Sequence, residues 1–228
     1  MAKDLFNKED YAKALVLFDE IMPYFKASTE AELLNYMYAY CLFSTGNNIV
    51  AAHRFKLLYD TYPYGKYAEE SLFNYAYCTY LESPDINLDQ TSSALAIEAF
   101  QLFINKYPDS KKVEESNKYI DEMYSKIERK DIEIAKLYYK IQDYKAAIWT
   151  LSNVIDQYPA AEDRPELIYL VLDSYEKLIA KSVESKKKDR LLELISFYSN
   201  NLEHIKNTAY FGPSEKIYKN ALIMVKKI

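Results

Sequence analysis

The chain has 228 residues, half of them apolar and 28% charged, with only three glycines and a formal net charge of −5. That length suits one sizeable domain or a short repeat array, and few glycines with dense Ala, Glu, Lys, Leu and Tyr usage favour helices over strands. An acidic chain lacks the basic face that phosphate contact demands, and no apolar run approaches the ~18 residues needed to cross a bilayer, so nucleic-acid binding and a spanning helix are not expected.

Met1 to Phe25 reads as a helix pair whose first member is a stub, Ala2, Leu5 and Phe6, before a Lys8-Glu9-Asp10 turn. The stub leaves the next helix half covered, which predicts that the native protein extends further toward its N-terminus. No charged n-region and apolar h-region precede this helix, so either the protein is cytosolic or its export signal lies outside this sequence. Ser28 or Thr29 is a good N-cap for the following helix, with Glu32 placed to complete a capping box with Thr29. That helix is expected to run to about Ser44.

Ala39 to Pro63 is one complete unit of a repeated motif: a small residue (Ala39), a Gly46-Asn47 break, a second small residue twelve positions on (Ala51), Phe55 four later, and Pro63 as the stop. Small residues let antiparallel helices approach closely, the aromatic at i+4 fills the gap on the same face, and proline cannot continue the helix. Aligned on Tyr-Pro endings, Asn48 to Pro63, Ser93 to Pro108 and Tyr144 to Pro159 superpose Ala51, Ala96 and Ala147, then Phe55, Phe100 and Leu151, then Leu58, Phe103 and Val154, then Tyr62, Tyr107 and Tyr158. Tyr11 to Phe25 is a fourth copy, with Ala14, Phe18, Ile21 and Phe25 in the same columns. This is the tetratricopeptide (TPR) pattern.

The next helices are expected over 67–82 and 91–107, separated by an inserted loop, Ser83 to Gln90. Residues 110–140 carry no glycine or proline and read as one long helix or two abutting ones; Ala135 stands twelve before Ala147, as Ala39 does before Ala51. Pro165 to Lys181, opening on a first-turn proline, pairs with Lys188 to about His204. After the Gly212-Pro213 break, Ser214 to Lys227 forms a capping helix. The expected architecture is therefore all-α: a TPR α-solenoid of about five helix pairs plus a C-terminal capping helix, a single superhelical domain over 1–228.

No chemical motif survives inspection. Asp85-x-Asn87-x-Asp89 begins like a calcium loop, but Gln90 replaces the required glycine and Ala96 the bidentate glutamate. His53 and His204 lie 151 positions apart without metal-ligand neighbours. Cys41 and Cys78 occupy equivalent positions of adjacent helices, ~8–10 Å apart, too far for a disulfide. The Lys186 to Arg190 run reads as a solvated helix start. The expectation is a non-enzyme with no metal, cofactor or nucleic-acid partner.

Tyrosine stands out, with 24 copies. In the first helix of each pair, positions three before, one after and four after the small residue turn toward the concave side. These are Tyr36, Tyr40 and Phe43 in one unit and Phe73, Tyr77 and Tyr80 in the next. Six aromatics there would either make an amphipathic slot for an extended, aromatic-containing peptide or serve inter-repeat packing. Of acidic residues, only Glu70 stands at the rim.

Tyr62 to Glu70, the Ser83 to Gln90 insertion before Ala96 to Pro108, and Ala135 to Ile148 together resemble the BamD family of outer-membrane assembly lipoproteins, in the form found in Bacteroidetes. The resemblance spans essentially the whole chain, although Asn200 to Leu202 replace a Tyr-Pro ending in the fifth unit. It implies a lipid-anchored scaffold on the periplasmic face of the outer membrane. Repeats 109–228 would dock to the POTRA part of a BamA-like barrel-inserting subunit, and repeats 1–108 would receive unfolded barrel precursors. The family's signal peptide and acylated N-terminal cysteine are not in this chain. The alternative is a generic TPR adaptor or co-chaperone that clamps an acidic C-terminal peptide, for which Lys and Asn rather than aromatics would line the groove.

Overall fold

In the computed structural model, which describes residues 1–24 and 30–227, all regular structure of the described residues is helical. The expected core column at Phe25 and the expected caps Ser28 and Thr29 lie outside the described residues. A short α1 (Ala2–Asn7) precedes α2 (Tyr11–Ile21), α3 (Ala31–Ser44), α4 (Asn48–Thr61), α5 (Ala68–Leu81) and α6 (Thr91–Lys106). A single long α7 (Val113–Lys140) follows, then α8 (Tyr144–Gln157), α9 (Arg164–Ala180), α10 (Glu184–Ile205) and α11 (Phe211–Val225). From α1 to α6, and again from α8 to α11, helices adjacent in sequence pack against each other, as TPR-like repeats do, and α11 closes onto both α9 and α10.

The repetition reaches the backbone. Tyr62, Tyr107 and Tyr158 each end a helix with φ between −120° and −130° and donate to the carbonyl four residues back at 2.9 Å. Each then accepts from the residue three further on, Gly65, Ser110 and Ala161 respectively. The following proline keeps each tyrosine out of the helical region. Within the pairs, the residue five before the small-residue column is left-handed in three copies: Glu9 (φ 61°), Gly46 (81°) and Gln142 (64°). In each turn the next N–H reaches five residues back, Asp10 to Leu5, Asn47 to Leu42 and Asp143 to Tyr138, closing the helix end. Glycine alone adopts that conformation without cost.

The chain divides into two compact units, Met1–Ile127 and Glu128–Ile228. In the first, Ala14, Ala39, Ala51, Ala76 and Ala96 are fully buried with Phe18, Phe55, Phe100 and Phe103. In the second, Ala135, Ala147, Leu151, Leu167, Leu191 and Leu194 form the centre. Burial on this scale supplies the driving force for stacking. The Tyr-Pro tyrosines are only half-buried, and the hydroxyl of Tyr158 donates to Asp131 at 2.5 Å.

Several boundaries differ from expectation. The last helix begins at Phe211 rather than Ser214 and takes Gly212 and Pro213 into its first turn, where the missing proline N–H has no helical partner to lose. Helix α10 begins at Glu184, so Lys186 to Arg190 fall in its opening turns. The Glu32 carboxylate accepts the Tyr67 N–H at 2.8 Å, where α5 begins.

Candidate functional site

All six groove aromatics lie in the first unit, and their rings form one continuous series. Tyr36 meets Tyr40 at 6.1 Å between centroids, Tyr40 meets Phe43 at 5.9 Å, Phe43 meets Tyr77 at 6.0 Å, and Tyr77 meets Phe73 at 6.2 Å and Tyr80 at 5.9 Å. The i, i+3 and i, i+4 spacings set the steps within α3 and within α5, and the Phe43–Tyr77 contact joins the two helices. Burial then separates the residues. Tyr36 (8% exposed) and Phe73 (6%) are core, Tyr36 stacked on Tyr67 at 4.5 Å and Phe73 wedged against Phe100 and Phe103. Tyr40, Phe43, Tyr77 and Tyr80 are half-buried and keep accessible ring surface.

Helix α7 contributes three residues that no local pattern places here. Tyr119 packs on Tyr80 (4.5 Å), Tyr77 (5.4 Å) and Phe100 (5.2 Å). Glu122 accepts the Tyr80 hydroxyl at 2.6 Å, and Glu115 accepts that of Tyr119 at 2.8 Å. Glu70 stands close enough to the Tyr36 hydroxyl to act on its phenol. The strip's edge is therefore richer in carboxylate than Glu70 alone. The bond to Glu122, with burial adding to it, pushes the Tyr80 phenol up to about 12. Burial and the Glu115 bond raise Tyr119, while burial and Glu70 raise Tyr36. These phenols hold their protons and donate outward to the carboxylates. At the other end Phe6 lies edge-on to Tyr40 and to Tyr11, and Tyr11 is tilted against Tyr40, extending the series to α1 and α2. Two ammonium groups rest on rings of the series: Lys112 Nζ is 4.0 Å from the centre of Phe73, and Lys66 Nζ 5.3 Å from that of Tyr67.

The remaining sequence candidates are structural. Gln90 is buried and organises the inserted loop, donating to the Asp85 and Leu88 carbonyls and accepting from Ser93. Lys126 of α7 fastens the same loop through Ser83 and the Pro84 carbonyl. Among the described residues no group of His, Cys, Asp or Glu could hold a metal ion, and no helix is long and apolar enough to cross a membrane. Cys41 and Cys78 are free and buried. In the second unit Tyr139 donates to the buried Asp173 at 2.5 Å while Lys177 pairs with Asp173 at 2.6 Å, tying α7 to α9. That unit also exposes Ile141 and Trp149, the latter 68% accessible on α8.

Comparison with known proteins gives the context for these geometries. The YfiO family, described as "Outer membrane lipoprotein", matches residues 1–191. A protein of Rickettsia prowazekii named outer membrane protein assembly factor BamD is 27% identical over 191 residues, covering 82% of this chain and 74% of the relative. A protein of the same name from Caulobacter vibrioides is 24% identical over 192 residues, covering 83% of this chain and 62% of that relative.

Proposed function

Since this chain belongs to the YfiO family of outer membrane lipoproteins, we propose that its first unit holds extended segments of outer-membrane barrel precursors on the aromatic strip. The chain is a non-enzymatic assembly factor for outer membrane proteins, in line with its relatives. The carrying observation for strand binding is the accessible ring series from Tyr40 through Phe43 and Tyr77 to Tyr80, with successive centroids 5.9–6.0 Å apart. Alternate side chains on one face of a β-strand recur every ~6.6 Å, so consecutive apolar residues of a strand meet consecutive rings. Barrel strands alternate apolar and polar residues and concentrate aromatics at the interfaces. The carboxylates on Tyr36, Tyr80 and Tyr119 disfavour the acidic peptide that a generic TPR clamp would take.

In this reading the second unit docks to the POTRA region of a BamA-like subunit, with accessible apolar side chains such as Trp149 as anchors. An N-terminal lipid holds the protein at the periplasmic face of the outer membrane. The test is titration of the full chain with a peptide copied from the terminal strand of an outer-membrane barrel. Tyr40→Ala and Tyr77→Ala, made singly, should each weaken binding about tenfold, consistent with loss of one aromatic anchor, while the helical spectrum is retained. Unchanged affinity in both variants would remove the strip from the function.

A further inference from the structure

The electrostatics of the strip point to a particular guest. Its edge is lined with acceptors: the phenols of Tyr80 and Tyr119 are committed as donors to Glu122 and Glu115, and Glu70 acts on the Tyr36 phenol, leaving carboxylate oxygens and ring faces for anything that approaches there. A phenol donating to a carboxylate also has a more electron-rich ring, and ring faces attract cations. The molecule already demonstrates that affinity with its own side chains, for Lys112 sits 4.0 Å over Phe73 and Lys66 5.3 Å over Tyr67. Lys112 forms no ion pair among those of the described residues.

We propose that the strip selects extended segments in which a lysine or arginine stands beside an aromatic or aliphatic residue, the guest cation lodging between the ring faces and Glu115 and Glu122 while Lys112 acts as its internal stand-in. This rests on the strand-binding reading above and adds its sign of charge. Apolar residues of the guest lie along Tyr40, Phe43 and Tyr77, and the cation of an intervening position turns to the carboxylate edge. Lys112 holds a like charge at the Phe73 end of the strip, so its removal relieves repulsion of the guest cation.

The test uses the full chain and three extended peptides of identical length and aromatic placement whose polar positions carry Lys, Gln or Glu. At low salt the Lys peptide should bind about three- to tenfold tighter than the Gln peptide, and the Glu peptide weaker again, as expected for one exposed cation–π contact with a partly screened carboxylate. The difference should shrink at physiological salt, where screening acts over ~8 Å. Glu115→Gln with Glu122→Gln should abolish the preference, read as the ratio of Lys-peptide to Gln-peptide affinity, and Lys112→Gln should tighten the Lys peptide about twofold or more. Equal affinity for all three peptides, or preference for the Glu peptide, overturns the charge selectivity and leaves strand binding standing. Failure of all three to bind overturns strand binding, and the selectivity with it.

Discussion

At residue scale the Tyr-Pro-x-Gly-x-Tyr segment shows how one contact can fix a residue type. A Cβ on Gly65 would lie 2.3 Å from the Glu32 Oε1, so the glycine is demanded by the carboxylate that reaches across to the Tyr67 N–H, not by its own backbone angle. That carboxylate accepts a charge-assisted bond at the start of α5, where the helix dipole also favours it. Gly65→Ala should push Glu32 away and leave the N–H without its partner, costing ~1.5–3 kcal/mol against ~0.4–1 kcal/mol gained by stiffening the unfolded chain. The net expectation is a loss of about 1 kcal/mol. With Glu32→Ala already in place, the same glycine substitution should reverse sign and stabilise by ~0.4–1 kcal/mol. Denaturant midpoints of the four proteins check this, and additive losses would show that Gly65 serves the backbone instead. The sequence displays both residues but not their meeting, because they are 33 positions apart and Glu32 also fits a local capping pattern.

At the scale of elements, what repeats is legible and what crosses between repeats is not. The small-residue and aromatic columns could be read directly, since each recurs at a fixed offset and each names a burial requirement. Phe100 is fully buried among Phe73, Tyr80 and Tyr119, so Phe100→Ala should cost ~3–5 kcal/mol. A loss under about 1 kcal/mol would place the ring outside the core. Ala147, equally buried within the second unit's core, presents the opposite limit: Ala147→Leu adds volume where helices touch and should destabilise by ~1–3 kcal/mol. Thermal melts of the two variants separate the mechanisms, and a neutral Ala147→Leu would mean that α8 does not approach its neighbours closely. Tyr119, Glu115 and Glu122 escaped notice because α7 carries no column residue at those positions. Their roles depend on the turn after Tyr107 bringing α7 against α5, which no periodicity within α7 encodes. The candidate strip was therefore half legible: its ring faces were visible in α3 and α5, its carboxylate edge was not.

For the whole molecule, the question is whether two compact units with separate cores also open separately. In repeat proteins stability is close to a sum of unit and neighbour terms, so partly folded states become accessible. The cysteines offer a reporter confined to one unit, because Cys41 and Cys78 are the chain's only two and both belong to Met1–Ile127. Burial pushes both thiols up to about 12, which leaves roughly a thousandfold less thiolate at neutral pH than an ordinary cysteine has. Since the thiolate is the nucleophile, alkylation in the native state must wait for the first unit to open. In a denaturant series followed by pulsed alkylation and far-UV circular dichroism, helix content should fall in two steps, with labelling rising in only one of them. That step identifies which unit is the weaker. A single transition, with labelling and helix loss superimposed across the whole series, would mean that both units fold as one cooperative body and that the strip cannot be opened without dismantling the helices that follow it.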